Sequence, residues 1–197
     1  MTPLPFVFPY ALFFWAICIW AFWPEFQIVR RAGKSVRRAD SPDAGSYRVI
    51  VNAMGIAFLV GWPLAWVQAL RFPKNWAPAV FVVGLVFVTV GSLLRRHCWR
   101  MLGAAFTGDV QARAGQRIIT SGAYTLLRHP SYTAGILMNA GVGLALGSWA
   151  STVLLLVSAV AAYGYRIAVE ERALLNAVGQ PYREFMRTRK RLIPYIY

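Results

Sequence analysis

Charge is scarce in this sequence, and acid is scarcer still: of 197 residues 14% are charged, and only seven are Asp or Glu. A soluble domain carries about 25% charged residues, so this chain has too little polar surface to clothe a water-facing globule. Two cysteines exclude a disulfide scaffold, and with no low-complexity tract the chain is not a disordered one. Cys18 lies within the first apolar run and Cys98 just after the third, at different expected depths, so no bridge between them is expected. No P-loop, no GxGxxG and no Ser-His-Asp arrangement is present, which removes soluble-type nucleotide binding and triad hydrolysis. His97-Cys98 has no second pair at ligand spacing, so it is read as part of a solvated interfacial run and no metal site is expected.

What the chain has is apolar surface, 58% hydrophobic residues and 15% aromatic, with a mean hydropathy of +0.48. That excess has to face lipid. Three runs, residues 4–23, 49–70 and 77–94, each approach the roughly 20 residues that cross about 30 Å of hydrocarbon. Trp20, Trp23, Trp62, Trp66 and Trp76 at their flanks suit the interfacial aromatic belts. From Pro130 to Tyr165 no residue is charged for 36 positions. As one helix that stretch would be about 54 Å long, too much for a single crossing. A tight helical hairpin turning at Gly147-Ser148 fits better, with spans at 131–146 and 149–165. The fold expected is therefore an all-α integral membrane protein of five transmembrane helices, a single domain over 1–197, with C-terminal helices on the cytoplasmic side. Gly143 and Gly147 make a GxxxG match, read as helix packing.

The formal charge of +14 invites a nucleic-acid reading, but the cations fall between the apolar runs. Membrane lipids are the expected partners, and nucleic acid is not. Arginine outnumbers lysine 18 to 3. With five spans, nineteen of the basic residues fall on one side and two, Arg71 and Lys74, on the other. The positive-inside rule then puts the N-terminal side outside and the C-terminal side in the cytoplasm, and the expected location is a bacterial inner membrane. The first run has its cations after it, the reverse of a cleavable signal peptide, so it is expected to stay as an anchor.

Polar chemistry concentrates in residues 108–132 and 166–191, which flank the hairpin and must meet at its cytoplasmic mouth. The run Arg117-Ile118-Ile119-Thr120 reads as extended, Ser121-Gly122 as a turn, and Pro130 as the first residue of the fourth helix. That helix start offers an anion-binding terminus near His129. Tyr163, Arg166, Glu170 and Leu174 share one face of a helix leaving the fifth span. Glu170 and Glu171 are costly near hydrocarbon unless paired, with Arg166 and Arg128 the expected partners, and a salt-bridge collar would explain them equally well. Tyr182, Phe185, Met186 and Arg189 form a short amphipathic stripe that suits a helix lying on headgroups.

The ordered set Thr120-Ser121-Gly122-Ala123-Tyr124, Arg128-His129-Pro130-Ser131-Tyr132 with Gly135, then Arg166, Glu170-Glu171, Leu174, Gly179, Tyr182 and Pro194 resembles the isoprenylcysteine carboxyl methyltransferase family. The resemblance covers residues 108–197; the first half matches only in hydropathy. It implies a membrane methyltransferase that uses S-adenosylmethionine, bound by residues matching Gln116, Arg117, Ile118, Ile119, Tyr124, His129, Pro130, Ser131, Tyr132 and Glu170. The arginine matching Arg166 belongs to the substrate side. The acceptor expected is lipophilic, a small molecule or a lipidated one, carrying a carboxylate clamped by Arg166 and Arg128. An amine acceptor would instead need a base, for which Glu171 is nearest. A reductase of the sterol type using NADPH and a noncatalytic membrane scaffold are the other readings. Arg-His-Pro-Ser-Tyr, in place of the reductases' Arg-His-x-Asn-Tyr, favours methyl transfer. The acceptor's identity and the oligomeric state are not written in the sequence.

Overall fold

A computed structural model describes residues 2–35, 45–103 and 118–193, the side chains of 28–35 excepted. It is nearly all helical, with no strand among the described residues. The described residues form six α-helices in order: α1 Tyr10–Ser35, α2 Ser46–Leu64, α3 Ala77–Leu102, α4 Pro130–Ala145, α5 Trp149–Val178 and α6 Gln180–Thr188. Three of them, α2, α3 and α5, are both long and apolar enough to cross a membrane. The protein is an integral membrane protein of helical design, and its surface says so: Leu12, Ile19, Leu59, Val82 and Val157 are all more than half exposed. In water such a surface would aggregate; in lipid it is solvated.

The helix limits depart from the apolar runs for local reasons. Residues 4–23 do not form one helix, because Pro3, Pro5 and Pro9 lack the N–H that a helix needs. Leu4–Phe6 is instead a 3-10 turn, and α1 starts at Tyr10 and continues through Pro24. The second run stops short of residue 70 at Leu64, one residue after Pro63, and the chain turns again at Gln68–Leu70. α3 and α5 run past their apolar parts into the basic segments, α3 ending at Gly103 with φ 51°. Hydropathy marks where lipid solvates a helix, and the helix itself stops only where the backbone is interrupted.

Packing follows the order α1, α3, α4, α5, α2. Aromatic side chains bring the ends of that series together, with Trp15 stacked on Trp62 at 5.4 Å and Phe22 edge-on to Phe58 at 6.2 Å. Phe14, Phe81, Val88, Met138, Val142 and Leu155 form the buried centre. α3 meets α4 on glycines: a Cβ on Gly84 would lie 2.6 Å from the Gly141 carbonyl oxygen, and one on Gly141 would lie 2.6 Å from that of Gly84. Gly143 lies against the Thr152 backbone, where α4 packs on α5.

Between α4 and α5 the chain reverses at Gly147, whose φ of 74° suits glycine. The segment before α3 fastens this turn. Phe72 N–H donates to Gly147 O at 3.0 Å, and Ser148 Oγ donates to Leu70 O at 2.8 Å while capping α5. Ser151 Oγ then ties α5 to α2 through Gly61 O at 2.7 Å. With the far turn held in this way, the other ends of α4 and α5 are set side by side.

Candidate functional site

At those ends α4 begins with Pro130 after His129, and α5 carries Arg166, Glu170 and Glu171. A third element completes the wall. Residues 190–192 run beside 127–129: Arg128 N–H donates to Lys190 O at 2.7 Å, His129 N–H to Arg191 O at 3.1 Å, and Thr133 Oγ1 to Leu192 O at 2.8 Å. The backbone N–H groups of Arg128 and His129, just before the helix, are therefore spent on the chain's own carbonyls.

Glu171 lies at the centre of this junction, only 4% exposed. Arg191 reaches it from the C-terminal segment with Nη2 at 2.9 Å and Nε at 3.2 Å from Oε2. Arg128 Nη2 is 3.4 Å and His129 Nε2 3.2 Å from Oε1. Three elements thus share one carboxylate. A carboxylate this buried is stable only with such partners, and each partner is costly without it.

Glu170 differs from its neighbour. Its side chain is 31% exposed, and one oxygen accepts a 2.7 Å hydrogen bond from the Tyr132 hydroxyl, with His129 Nδ1 3.8 Å away. The same hydroxyl accepts from Arg166 Nε at 3.4 Å, and Arg166 Nη1 donates to Ser46 Oγ at 2.7 Å. One phenol therefore stands between the carboxylate and the guanidinium, which lie one helical turn apart on α5. His129, Tyr132 and Tyr163 stack in series, with centroids 5.6 Å and 5.1 Å apart. Gly135 faces the Tyr163 ring, leaving no room for a side chain.

Tyr124, in the 3-10 turn Gly122–Thr125, is buried within electrostatic range of Cys98, Glu170 and Arg95. Burial first, and then Cys98 and the Glu170 charge, push its phenol above the usual range, so the ring stays neutral. Tyr182 on α6 is shifted the same way, by burial and then by Glu171 and Glu170. The amphipathic stripe forms α6, but Tyr182 and Phe185 are buried beside the site and do not lie on the outer surface.

Of the residues singled out in the sequence, Arg128, His129, Pro130, Ser131, Tyr132, Arg166, Glu170 and Glu171 come together here. Ile118 and Ile119 are half-buried with no regular structure, while Gln116 and Arg117 lie outside the described residues. Arg191 and Ser46 were not anticipated, and neither was Arg95. Arg95 is buried, paired with Glu25 of α1, and donates from Nη1 to Ser131 O at 2.7 Å, bracing the start of α4 from below. Its guanidinium lies 5.1 Å from the Trp99 ring and 5.8 Å from that of Tyr163. The only signal for it was an arginine following the apolar part of α3 in the same helix.

Comparison with known proteins places this arrangement. The family model described as "Isoprenylcysteine carboxyl methyltransferase (ICMT) family" matches residues 82–176. A probable protein-S-isoprenylcysteine O-methyltransferase from Oryza sativa subsp. indica is 30% identical over 66% of this chain and 69% of its own length. The protein-S-isoprenylcysteine O-methyltransferase of Schizosaccharomyces pombe is 28% identical over 66% of this chain and 58% of its own. The solved eukaryotic intramembrane Ras methyltransferase ICMT shares the fold, with a TM-score of 0.62 and 24% identity over 72% of this chain and 52% of that one. The chain thus spans little more than half the length of the yeast relative and of the solved protein. Motif order, fold and similarity to the rice protein agree, and the chain belongs to the isoprenylcysteine carboxyl methyltransferase family.

Proposed function

We propose that the protein transfers a methyl group from S-adenosylmethionine to the carboxylate of a lipophilic acceptor, an S-isoprenylcysteine being the form that the relatives' names indicate. The observation that carries this reading is the Glu170–Tyr132–Arg166 line, where an acidic and a basic group are held apart by one hydroxyl. The residues suit a zwitterionic cofactor with a sulfonium. Glu170 is part-exposed and negative, fit for an ammonium, and the stacked Tyr132 and His129 rings offer faces for a cation or for adenine. Tyr124, Ile118, Ile119, Gln116, Arg117, Pro130 and Ser131 are the further cofactor contacts.

When bound, S-adenosylmethionine supplies an activated methyl on a good leaving group. The chain's task is to align the acceptor and exclude water. A carboxylate acceptor is already ionised and needs no base. Glu171, with both oxygens engaged by cations, acts as the pin of the site, and Arg166 orients the acceptor with its fork. The amine-acceptor reading, which needs Glu171 as a base, loses support from the same contacts.

Two variants separate the roles. Glu170→Gln, nearly isosteric, should weaken S-adenosylhomocysteine binding about ten- to a hundredfold in a calorimetric titration, the cost of one contact to a charged group. Arg166→Lys keeps the charge but not the fork. It should leave cofactor affinity intact and lower turnover on an S-isoprenylcysteine by about tenfold or more. Unchanged titrations for Glu170→Gln, together with wild-type turnover for Arg166→Lys, would reduce both to counter-ions of a salt-bridge collar.

The topology proposed is five crossings, α1 to α5, with α4 and α5 as a tight pair and the site on the cytoplasmic side of a bacterial inner membrane. It rests on the nineteen-to-two division of basic residues. A reporter fused after Tyr197 should be active only inside the cell; activity outside would invert the scheme.

A further inference from the structure

Beside the Glu171 junction lies an open cavity of about 260 Å³ lined by Arg128 and by residues 186–191. Five of those seven side chains are cationic and none is acidic. The wall is built, because the hydrogen bonds from Arg128 N and His129 N to Lys190 O and Arg191 O fix the 190–191 backbone against the start of α4. Arg128 and Arg191 spend part of their charge on Glu171. Arg187, Arg189 and Lys190 have no acidic partner among the described residues.

A second observation points to a ligand. The Arg128 side chain is only 9% exposed, yet its Nε is buried without a hydrogen-bond partner among the described residues, and the same holds for Arg189 Nε. Buried donors are normally satisfied, and both of these guanidinium groups belong to residues of the cavity wall. Guanidinium forks match the oxygens of a phosphate.

We propose that this cavity is a phosphate-binding site, taking the headgroup phosphate of an anionic glycerophospholipid or a free phosphate ion. The segment after α6 runs beside residues 128–129, where cations precede the uncharged stretch that begins at Pro130, and a cluster of cations at such a boundary attracts anionic lipid. Met186 adds one apolar side chain to the wall beside the charges. The cavity shares Arg128 with the acceptor clamp expected from the sequence, but Arg187, Arg189 and Lys190 have no part in the methyl-transfer reading, and the variants are confined to them.

The test uses the full chain in detergent micelles doped with equal phosphatidylglycerol and phosphatidylcholine, read by native mass spectrometry, with thermal unfolding in added inorganic phosphate as a second arm. The variant is Arg187→Gln with Arg189→Gln, and Lys190→Gln is the second variant; none of these side chains touches Glu170, Glu171 or Arg166. Wild type should retain phosphatidylglycerol over phosphatidylcholine, and the double variant should lose roughly thirtyfold in that affinity. Lys190→Gln should lose less, and titrated S-adenosylhomocysteine should bind all three proteins alike. Retention of phosphatidylglycerol, with or without competition from phosphate, assigns the site to lipid. Stabilisation by inorganic phosphate without lipid preference assigns it to the free ion. Wild-type retention by both variants, or no response in either arm, overturns the proposal. So does loss of S-adenosylhomocysteine binding in the double variant, which would give the cavity to the cofactor's carboxylate.

Discussion

Glu171→Ala should lower the unfolding free energy by about 3 kcal/mol, the low end of the cost of breaking a buried ion pair. Removing this one carboxylate strands Arg128 and His129 in a nearly dry site, with side chains 9% and 4% exposed, and frees Arg191 from its anchor. Arg191 is 35% exposed and can turn to water, so the low end applies. Chemical denaturation in micelles measures the loss, and hydrogen exchange at residues 190–192 should rise with it because that segment is pinned through Glu171. Glu171→Gln keeps the shape and some hydrogen bonding, so it should fall between the alanine variant and wild type. A stability within error of wild type for the alanine variant would mean that backbone hydrogen bonds from Arg128 and His129 hold the segment without the carboxylate.

Gly141→Ala should cost as much, by a different route. Its added methyl would lie 2.6 Å from Gly84 O and 2.8 Å from Val88 N, both backbone atoms that cannot swing aside. α3 and α4 would have to separate, and overpacking of this kind costs about 1–3 kcal/mol. The upper end applies here because the partners are backbone. Gly164→Ala is the control: a Cβ there meets nothing within 4 Å, and alanine is the better helix former by roughly 1 kcal/mol. Denaturation midpoints should therefore move in opposite directions for the two alanines. A common upward shift would show that helix propensity, and not the close approach of α3 to α4, governs both.

The two variants also probe different parts of the site's support. Gly141 acts at a distance, through the packing that delivers Arg95 of α3 to Ser131 O at the start of α4. Its loss should therefore lower cofactor affinity as well as stability. Glu171 acts locally.

Membrane character, the apolar stretches and the family motifs could be read from the residues alone, because each is a local property. Apolar length sets what lipid can solvate, and His129-Pro130-Ser131-Tyr132 followed by Arg166 and Glu170-Glu171 is a pattern in order and spacing. The amphipathic spacing of Tyr182 and Phe185 likewise announced α6, though not that both rings would turn inward. Helix ends were less legible, since prolines 3, 5 and 9 interrupt a run that hydropathy alone treats as continuous. What only the tertiary structure decided is which cation meets which carboxylate. Arg166 stands four residues from Glu170 on one helix face, and two of its hydrogen bonds go to Tyr132 and to Ser46, the latter 120 residues away. Arg95 found Glu25 seventy residues upstream, and Arg191 found Glu171 from twenty residues downstream. Arginine has a long side chain and no strong local preference for a partner. Its choice is set by which helices lie within reach, and that is decided by glycine contacts such as Gly84 on Gly141, by the α4–α5 turn fastened to residues 70–72, and by aromatic packing between α1 and α2.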